Sequence, residues 1–388
     1  MEKQQSEQKI DYILLSTLLG LFIISLLAVY SGSGQYVTED SFYFVKRQII
    51  WYIVGLFIMA GVAYFDFELL KRWAVYLYGI GLVLLIFVHF FGTVKNDAQR
   101  WISLGFFDLQ PSEFMKIFLV IYIAVILSKL GQMRSSFKNS IAPTIKVILL
   151  SMIPFALILI QPDLGSALII AATVITLTLF SSISIKMVGL LMSGMGSIVF
   201  FLFYLYQYNY DLFTSIFKPH QLGRIYGWLS PGEYASGYGY QLQQAIRGIG
   251  SGQMSGTGFN EGVQVQSGRV PEAHTDFIFT VIGEEFGFIG ASILISLYFL
   301  LIYRIIMIAV NANSLFGVYI CIGTVGLIAF QVFQNIAMTI GLMPITGIAL
   351  PLISYGGSAL LTNMMALGLV LSVHARTKRY MFGDAKVE

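Results

Sequence analysis

Apolar positions in this chain come in long unbroken blocks separated by short polar punctuation. Ten blocks, at about 12–30, 48–65, 73–91, 112–130, 143–160, 164–180, 186–207, 277–303, 314–341 and 355–373, each approach the ~20 residues a helix needs to cross a bilayer. The pattern predicts an all-α polytopic membrane protein, one integral membrane domain over 1–388 with ten transmembrane helices. Residues 161–163 leave so little chain between the fifth and sixth blocks that those helices are expected to form a tight hairpin. The one long polar interval, 209–275, is expected to be a large loop between helices 7 and 8. Lys3 and Lys9 precede the first block, Tyr12 to Tyr30, but Ser31-Gly32-Ser33-Gly34 is a poor cleavage site. That block is therefore expected to be a retained helix, not a signal peptide.

Composition agrees with a membrane protein and removes several function classes. Of 388 residues, 57% are apolar and 11% charged, and the mean hydropathy is +0.78. No soluble domain carries that balance, and blocks recurring to the end of the chain exclude a single anchor. An aromatic content of 15% suits Trp and Tyr belts at membrane interfaces. Cys321 is the only cysteine, which excludes an internal disulfide and a cysteine metal cage. His89, His220, His274 and His374 are far apart and lack metal-ligand spacing, so no metal site is expected. The net charge of +3 is small and scattered, which argues against a nucleic-acid partner. There is no GxxxxGK and no dinucleotide fingerprint, so a nucleotide-driven pump is not indicated. No cofactor is evident, and dependence on a divalent cation is not legible.

Charge orients the helices. With the N-terminus in the cytoplasm, the inside segments carry Lys3, Lys9, Lys71, Arg72, Lys129, Arg134, Lys138, Lys186, Arg304, Arg376, Lys378 and Arg379. The short outside loops carry only Lys46, Arg47, Lys95 and Arg100. That bias, with the long loop left out of the count, predicts that both termini are cytoplasmic and that 209–275 is extracytoplasmic. Even-numbered helices then start on the outer side. Those starts hold Gln110-Pro111-Ser112-Glu113, Gln161-Pro162-Asp163, His274-Thr275-Asp276 and the run from Pro351 to Ser358. Most of the unusual polar residues are thus expected at one depth. Helix N-termini bring partial positive charge and free N–H groups, and their convergence would suit a diphosphate head group.

Asp276 stands where the long polar interval meets the eighth block. It can be a helix cap or first-turn acid, as in soluble proteins, or a functional group, the default for an acid at a membrane boundary. Gly283 and Gly287 lie at helical phase close to it and would let another helix approach. Glu284 and Glu285 lie deeper, with Glu285 on the opposite face. Glu113 and Lys116, three apart, read as a buried ion pair that is either structural or part of the site. Asp163 reads first as a first-turn acid, and His274 as an interfacial loop residue with an orienting role open to it. The glycine-rich stretch up to Gly258 is expected to be a lid, a re-entrant segment or a plain linker. Gln331, Gln334 and Asn335 read as amides gluing helices together.

The motifs in order are Gln-Arg-Trp-Ile (99–102), Gln-Pro-Ser-Glu-Phe-Met-Lys (110–116), Gln-Pro-Asp-Leu-Gly (161–165), Pro-Glu-Ala-His-Thr-Asp-Phe-Ile-Phe (271–279), Gly-Glu-Glu-Phe-Gly (283–287) and Leu-Pro-Leu-Ile-Ser-Tyr-Gly-Gly-Ser (350–358). Together they resemble the SEDS family of peptidoglycan glycosyltransferases over essentially the whole chain, closer to the RodA branch than to FtsW or SpoVE. The resemblance implies a bacterial cell membrane enzyme that polymerises lipid II into glycan strands during cell-wall elongation. The transfer would invert the anomeric centre and release undecaprenyl diphosphate. Asp276 would be the catalytic base. Glu113, Lys116, Asp163, His274, Arg47, Arg100, Ser354, Gly356 and Gly357 would bind substrate or line the cavity. The implied partner is a class B penicillin-binding protein, a transpeptidase. Two other readings are a lipid II flippase and a non-catalytic scaffold of the wall-synthesis complex.

Overall fold

The computed structural model describes residues 11–36, 40–95, 98–103, 105, 107–216, 219–234 and 237–377. The first four helices are α1 (Tyr12–Ser33), α2 (Tyr43–Tyr64), α3 (Leu70–Phe91) and α4 (Pro111–Ser128). Strands β1 (Thr93–Lys95), β2 (Ala98–Ser103) and β3 (Asp108–Leu109) lie between α3 and α4. Then come α5 (Phe137–Ile160), α6 (Leu164–Leu179) and α7 (Ile185–Tyr208). The interval before the next long helix holds α8 (Tyr210–Ile216), α9 (Pro219–Leu229), α10 (Tyr238–Ser251) and α11 (Val263–Gln266). Helices α12 (Ile278–Glu285), α13 (Gly287–Asn311), α14 (Leu315–Thr339) and α15 (Gly357–Arg376) complete the described chain.

Among the described residues, nine helices are long and apolar enough to cross a membrane: α1 to α5, α7, α13, α14 and α15. The sixth expected block, α6, is apolar but only 16 residues long. At 1.5 Å per residue it spans about 24 Å, short of a ~30 Å hydrocarbon core. It packs against α4, α5 and α14. Helices α4, α14 and α15 form the buried centre, with α2 along α15, while α7 contacts chiefly α5 and α8. Helix α5 begins at Phe137, earlier than the apolar block, because the Ser136 hydroxyl caps it by accepting from Asn139 N at 3.3 Å.

Three expectations are corrected. The eighth block, 277–303, is not one helix. A continuous helix would bond the N–H groups of Phe288 and Ile289 to the carbonyls of Glu284 and Glu285. Instead those carbonyls accept from Thr257 N (2.9 Å) and Gly258 N (3.2 Å), and the two N–H groups donate to Gln253 O (2.9 Å) and Met254 O (3.1 Å). The chain around 253–258 is thus inserted into the ladder, and Gly287 turns the backbone at φ +62°. A Cβ on Gly287 would stand 2.4 Å from Gly256 N, and one on Gly256 2.0 Å from Glu285 O. Only glycine permits that approach.

The second correction follows. The interval 209–275 is folded, and its glycine-rich stretch is packed against α12 instead of forming a lid or a plain linker. The Glu284 carboxylate accepts from Gln264 N (2.7 Å) and Val265 N (3.0 Å). Glu285 accepts from Ser31 Oγ, Gln266 Nε2 (3.1 Å) and Asn260 N (3.1 Å). Gly283 meets Ile249 of α10, so the helix approaching that glycine comes from the long interval itself. Glu284→Ala is expected to leave two backbone N–H groups without their acceptor and to lower stability by about 3 kcal/mol. Thermal melting with limited proteolysis checks this, since unchanged cleavage around 252–268 would mean that Glu284 does not hold the segment.

Third, the short link between α3 and α4, expected as a loop, holds regular structure. It is a three-stranded antiparallel sheet in the order β1-β2-β3, with Thr93 opposite Trp101 and Ile102 opposite Leu109. This sheet carries Arg100.

At the opposite end of the bundle, Arg304 pairs with Asp11 (2.7 Å), Arg376 with Asp66 (3.4 Å) and Lys71 with Glu68 (2.5 Å).

Candidate active site

The polar helix starts do converge. Pro111 opens α4, and one turn in, Lys116 Nζ donates to Glu113 Oε1 at 2.8 Å, with both side chains buried. The other Glu113 oxygen accepts from Thr362 Oγ1 of α15 at 3.2 Å. Asp163 caps α6: its Oδ1 accepts from Ser166 N at 3.1 Å. Its Oδ2 accepts from Gln110 Nε2 (3.2 Å) and Ser112 Oγ (3.4 Å), and Arg100 Nη1 lies 3.6 Å from Oδ1. One carboxylate therefore joins the start of α6, the start of α4 and strand β2. Ser358 joins the start of α15 to the same group, donating to Asp108 O (2.7 Å) and accepting from Gln110 N (3.2 Å). Gly357 lets Trp51 pack closely, since a Cβ there would lie 2.8 Å from the indole. Gly356 precedes it in extended backbone with open space around it.

Asp276 lies in a turn before α12 and does not cap it. The cap position is Phe277, which makes no side-chain cap bond. The turn is built around Glu272, whose backbone is left-handed at φ +54°. Its carbonyl accepts from Thr275 N (3.1 Å) and Phe277 N (3.2 Å), and its carboxylate accepts from Thr275 Oγ1 (2.9 Å). The Asp276 carbonyl accepts from Asn335 Nδ2 at 2.7 Å, and that amide also donates to Ile348 O at 2.7 Å. Asn335 is thus helix glue, as expected, but glue applied at Asp276. On the carboxylate side, a Cβ on Gly347 would come within 3.2 Å of Asp276 Oδ2.

By area Asp276 is only partly buried, yet enough protein surrounds its carboxyl to push its pKa from 3.8 to about 6. Burial is the largest cause. Glu272 raises it further, Arg100 and Arg224 act against the rise, and Asp163 adds to it. Four charged groups, from β2, α9, the α6 cap and the Asp276 turn, therefore act on Asp276.

Not every expected residue enters this group. The exposed Arg47 sits over the Tyr43 ring at 5.0 Å and donates to the Tyr355 hydroxyl, with Asp108 nearby. It belongs to a neighbouring cluster. The His274 ring is buried among Phe44 (4.7 Å), Tyr36 (4.8 Å) and Tyr355 (5.7 Å), and burial pushes its pKa down. Its carbonyl accepts from Tyr355 N at 2.9 Å. Ser354 Oγ donates to Thr275 O (2.6 Å) and accepts from Leu350 N (2.7 Å). His274 and Ser354 thus stitch the turn before α12 to the turn before α15. Arg224 and Glu272 were not expected. The available signal was Arg224 and Trp228, one helical turn apart in an interval otherwise read as loop.

A family model described as Cell cycle protein, for FtsW, RodA and SpoVE, matches residues 11–379. Among curated proteins, a "Probable peptidoglycan glycosyltransferase FtsW" of Trichlorobacter lovleyi is 36% identical, covering 95% of this chain and 94% of that one. "Peptidoglycan glycosyltransferase MrdB" of Escherichia coli K12 is 35% identical over 95% and 94%, and "Stage V sporulation protein E" of Bacillus subtilis 34% over 95% and 98%. Among solved structures, a chain from work on "polymerization and crosslinking by a peptidoglycan synthase complex" matches with TM-score 0.76 and 28% identity, covering 94% of this chain and 97% of that one. Rod shape determining protein RodA of Thermus thermophilus matches with TM-score 0.68 and 26% identity, covering 95% and 98%.

Proposed function

This chain belongs to the FtsW/RodA/SpoVE family and is a peptidoglycan glycosyltransferase of the membrane, and from that premise we propose that it polymerises lipid II with Asp276 as general base. The observation that carries the assignment is the Asp276 carboxyl: partly buried, with a pKa of about 6, among Arg100, Arg224, Glu272 and Asp163. A base of that pKa is ionised at neutral pH yet holds a proton better than an ordinary aspartate. Asp276 takes the proton of the acceptor GlcNAc 4-hydroxyl. The oxygen attacks the anomeric carbon of the lipid-linked donor from the face opposite the diphosphate. The bond to the diphosphate oxygen breaks, the configuration inverts, undecaprenyl diphosphate leaves, and the proton passes from Asp276 to water.

The leaving diphosphate meets Arg100 and the starts of α4, α6 and α15, whose N–H groups favour negative charge. Lys116 and Glu113 hold the start of α4, while His274 and Ser354 hold the Asp276 turn. Gly356 and Gly357 keep the start of α15 narrow, and Arg47 offers a cation beside it. In this reading α6 is the sixth of ten spans, and 209–275 joins helices 7 and 8 on the extracytoplasmic side. Both termini are cytoplasmic, supported by Lys71, Arg72, Lys129, Arg134, Lys138, Lys186, Arg304 and Arg376 at the end opposite the site. Service in cell-wall elongation is part of the proposal, supported by the match to RodA.

The partner proposed is a class B penicillin-binding protein. The folded 209–275 segment adjoins the Asp276 turn and offers it a surface, through which it would favour one state of the site by differential contacts. The test is polymerisation of labelled lipid II by purified protein, with and without the cognate transpeptidase in fixed detergent and lipid. Polymer is expected in both cases, and more with the partner. No polymer in either, with lipid II moved across vesicles instead, would favour a flippase. Neither activity would leave a scaffold. Equal rates without co-purification would remove the partner alone.

A further inference from the structure

The helix that carries Arg224 is fastened to the core at two points. Trp228 Nε1 donates to Gly341 O at 2.8 Å, and Arg224 Nη1 donates to Thr346 O at 3.3 Å. The Trp228 ring packs on a buried cluster that includes Leu242, Val270, Phe277 and Ile345. Residues 224 and 228 are one turn apart, so a single face of α9 is turned to the bundle. The carbonyl that Arg224 holds belongs to a segment that packs near both acids of the site. Thr346 O would stand 3.0 Å from a Cβ on Gly165, two residues past Asp163, and the next residue, Gly347, abuts Asp276 Oδ2. Arg100 reaches the same group from β2 through Asp163. Two guanidinium groups from distant parts of the chain thus act electrostatically on Asp276.

Building on the reading above, we propose that Arg224 is a diphosphate-binding residue of the donor site, acting with Arg100 on the leaving group. The charge balance explains the need. Asp163, Glu272 and Asp276 supply three carboxylates, and Arg100 is already beside one of them. A diphosphate entering there is repelled unless a second fixed cation faces it. Arginine suits the task because its planar fork matches two phosphate oxygens at once. Arg224 also explains why α9 is bolted to the 341–346 segment: the bolts aim its guanidinium where charge builds up as the donor bond breaks.

The test uses the full-length protein in lipid nanodiscs and compares Arg224→Gln, Arg224→Met and Asp276→Asn. Undecaprenyl diphosphate binding is measured by native mass spectrometry, and lipid II polymerisation as kcat/KM across pH. Arg224→Gln is expected to weaken undecaprenyl diphosphate at least tenfold and to lower kcat/KM at least about 100-fold. Its acid limb should move above pH 6, because a cation beside Asp276 is gone. Asp276→Asn, which removes a negative charge, should keep or tighten that binding while losing turnover. If Arg224→Gln cannot be purified folded, the same readouts on Arg224→Met decide. Unchanged diphosphate affinity in a folded Arg224 variant overturns the proposal, whatever happens to turnover. Polymerisation by Asp276→Asn would instead overturn the general-base reading and leave the Arg224 binding result standing.

Discussion

Asp276→Asn is expected to lower lipid II polymerisation at least about 100-fold, the low end of what a general base supplies, while the protein remains folded. The amide keeps the size of the side chain and cannot take a proton. The backbone contacts that build the turn, from Thr275 and Phe277 to Glu272 O and from Asn335 to Asp276 O, do not involve the replaced atoms. In the wild type, the rate should rise with pH through about 6 as Asp276 loses its proton. The same shift has a consequence for stability. The folded pKa lies above the ordinary value of 3.8, so the folded state holds this proton more tightly than the unfolded chain. The Asp276 contribution is then most favourable below pH 3.8 and is lost as pH rises through about 6. At neutral pH the wild type carries a disfavoured charge that the amide variant lacks, so the variant should melt at or above the wild-type temperature. Polymer at a wild-type rate, or an acid limb unrelated to residue 276, would remove Asp276 from the chemistry.

What the sequence disclosed depended on how far apart the interacting residues lie. The helical blocks were legible because a hydrophobic run is a local property. So was the Glu113–Lys116 pair, whose members are separated by one helical turn. Asp163 is a helix cap, as its position suggested, but the sequence did not disclose that one carboxylate oxygen serves Ser166 N while the other receives Gln110 and Ser112. The break between α12 and α13 was hidden for a physical reason. Hydropathy is blind to which carbonyl an N–H reaches, and the bonds that replace the helical ladder come from residues 253 to 258. The polar interval 209–275 was hidden in another way. Its helix α10 buries one face against α12 and α14 and α11 packs on α12, instead of against lipid, so they lack the length and uniform apolarity of a span. Arg224 inherited that blindness, whereas Glu272 stood in the quoted 271–279 motif with no role assigned to it. Arg47 shows the converse error: its place near the polar helix starts was legible, but not that Tyr355 and Tyr43 would engage it in a neighbouring cluster.

Lys116→Ala is expected to cost roughly 3–5 kcal/mol, because it leaves a buried carboxylate with its charge uncompensated. Glu113 would keep only the Thr362 hydroxyl as a side-chain partner among the described residues. The damage should not stay local. Glu113 joins α4 to α15 through Thr362, and two residues nearby in α4 and its approach, Ser112 and Gln110, join it to Asp163 at the start of α6. A start of α4 that frays or shifts to hydrate Glu113 would loosen Asp163 and, through it, Arg100. Turnover should therefore fall together with melting temperature. The double variant Glu113→Gln, Lys116→Met separates the two effects. It removes both charges while keeping comparable volume, so no charge is stranded and most of the lost stability should return. If polymerisation stays low in that refolded background, the pair serves the reaction by placing the α4 start against the diphosphate. Recovery of full turnover would reduce the pair to a device for folding. A single variant with unchanged melting and turnover would mean that the two side chains, 2.8 Å apart, are not energetically coupled.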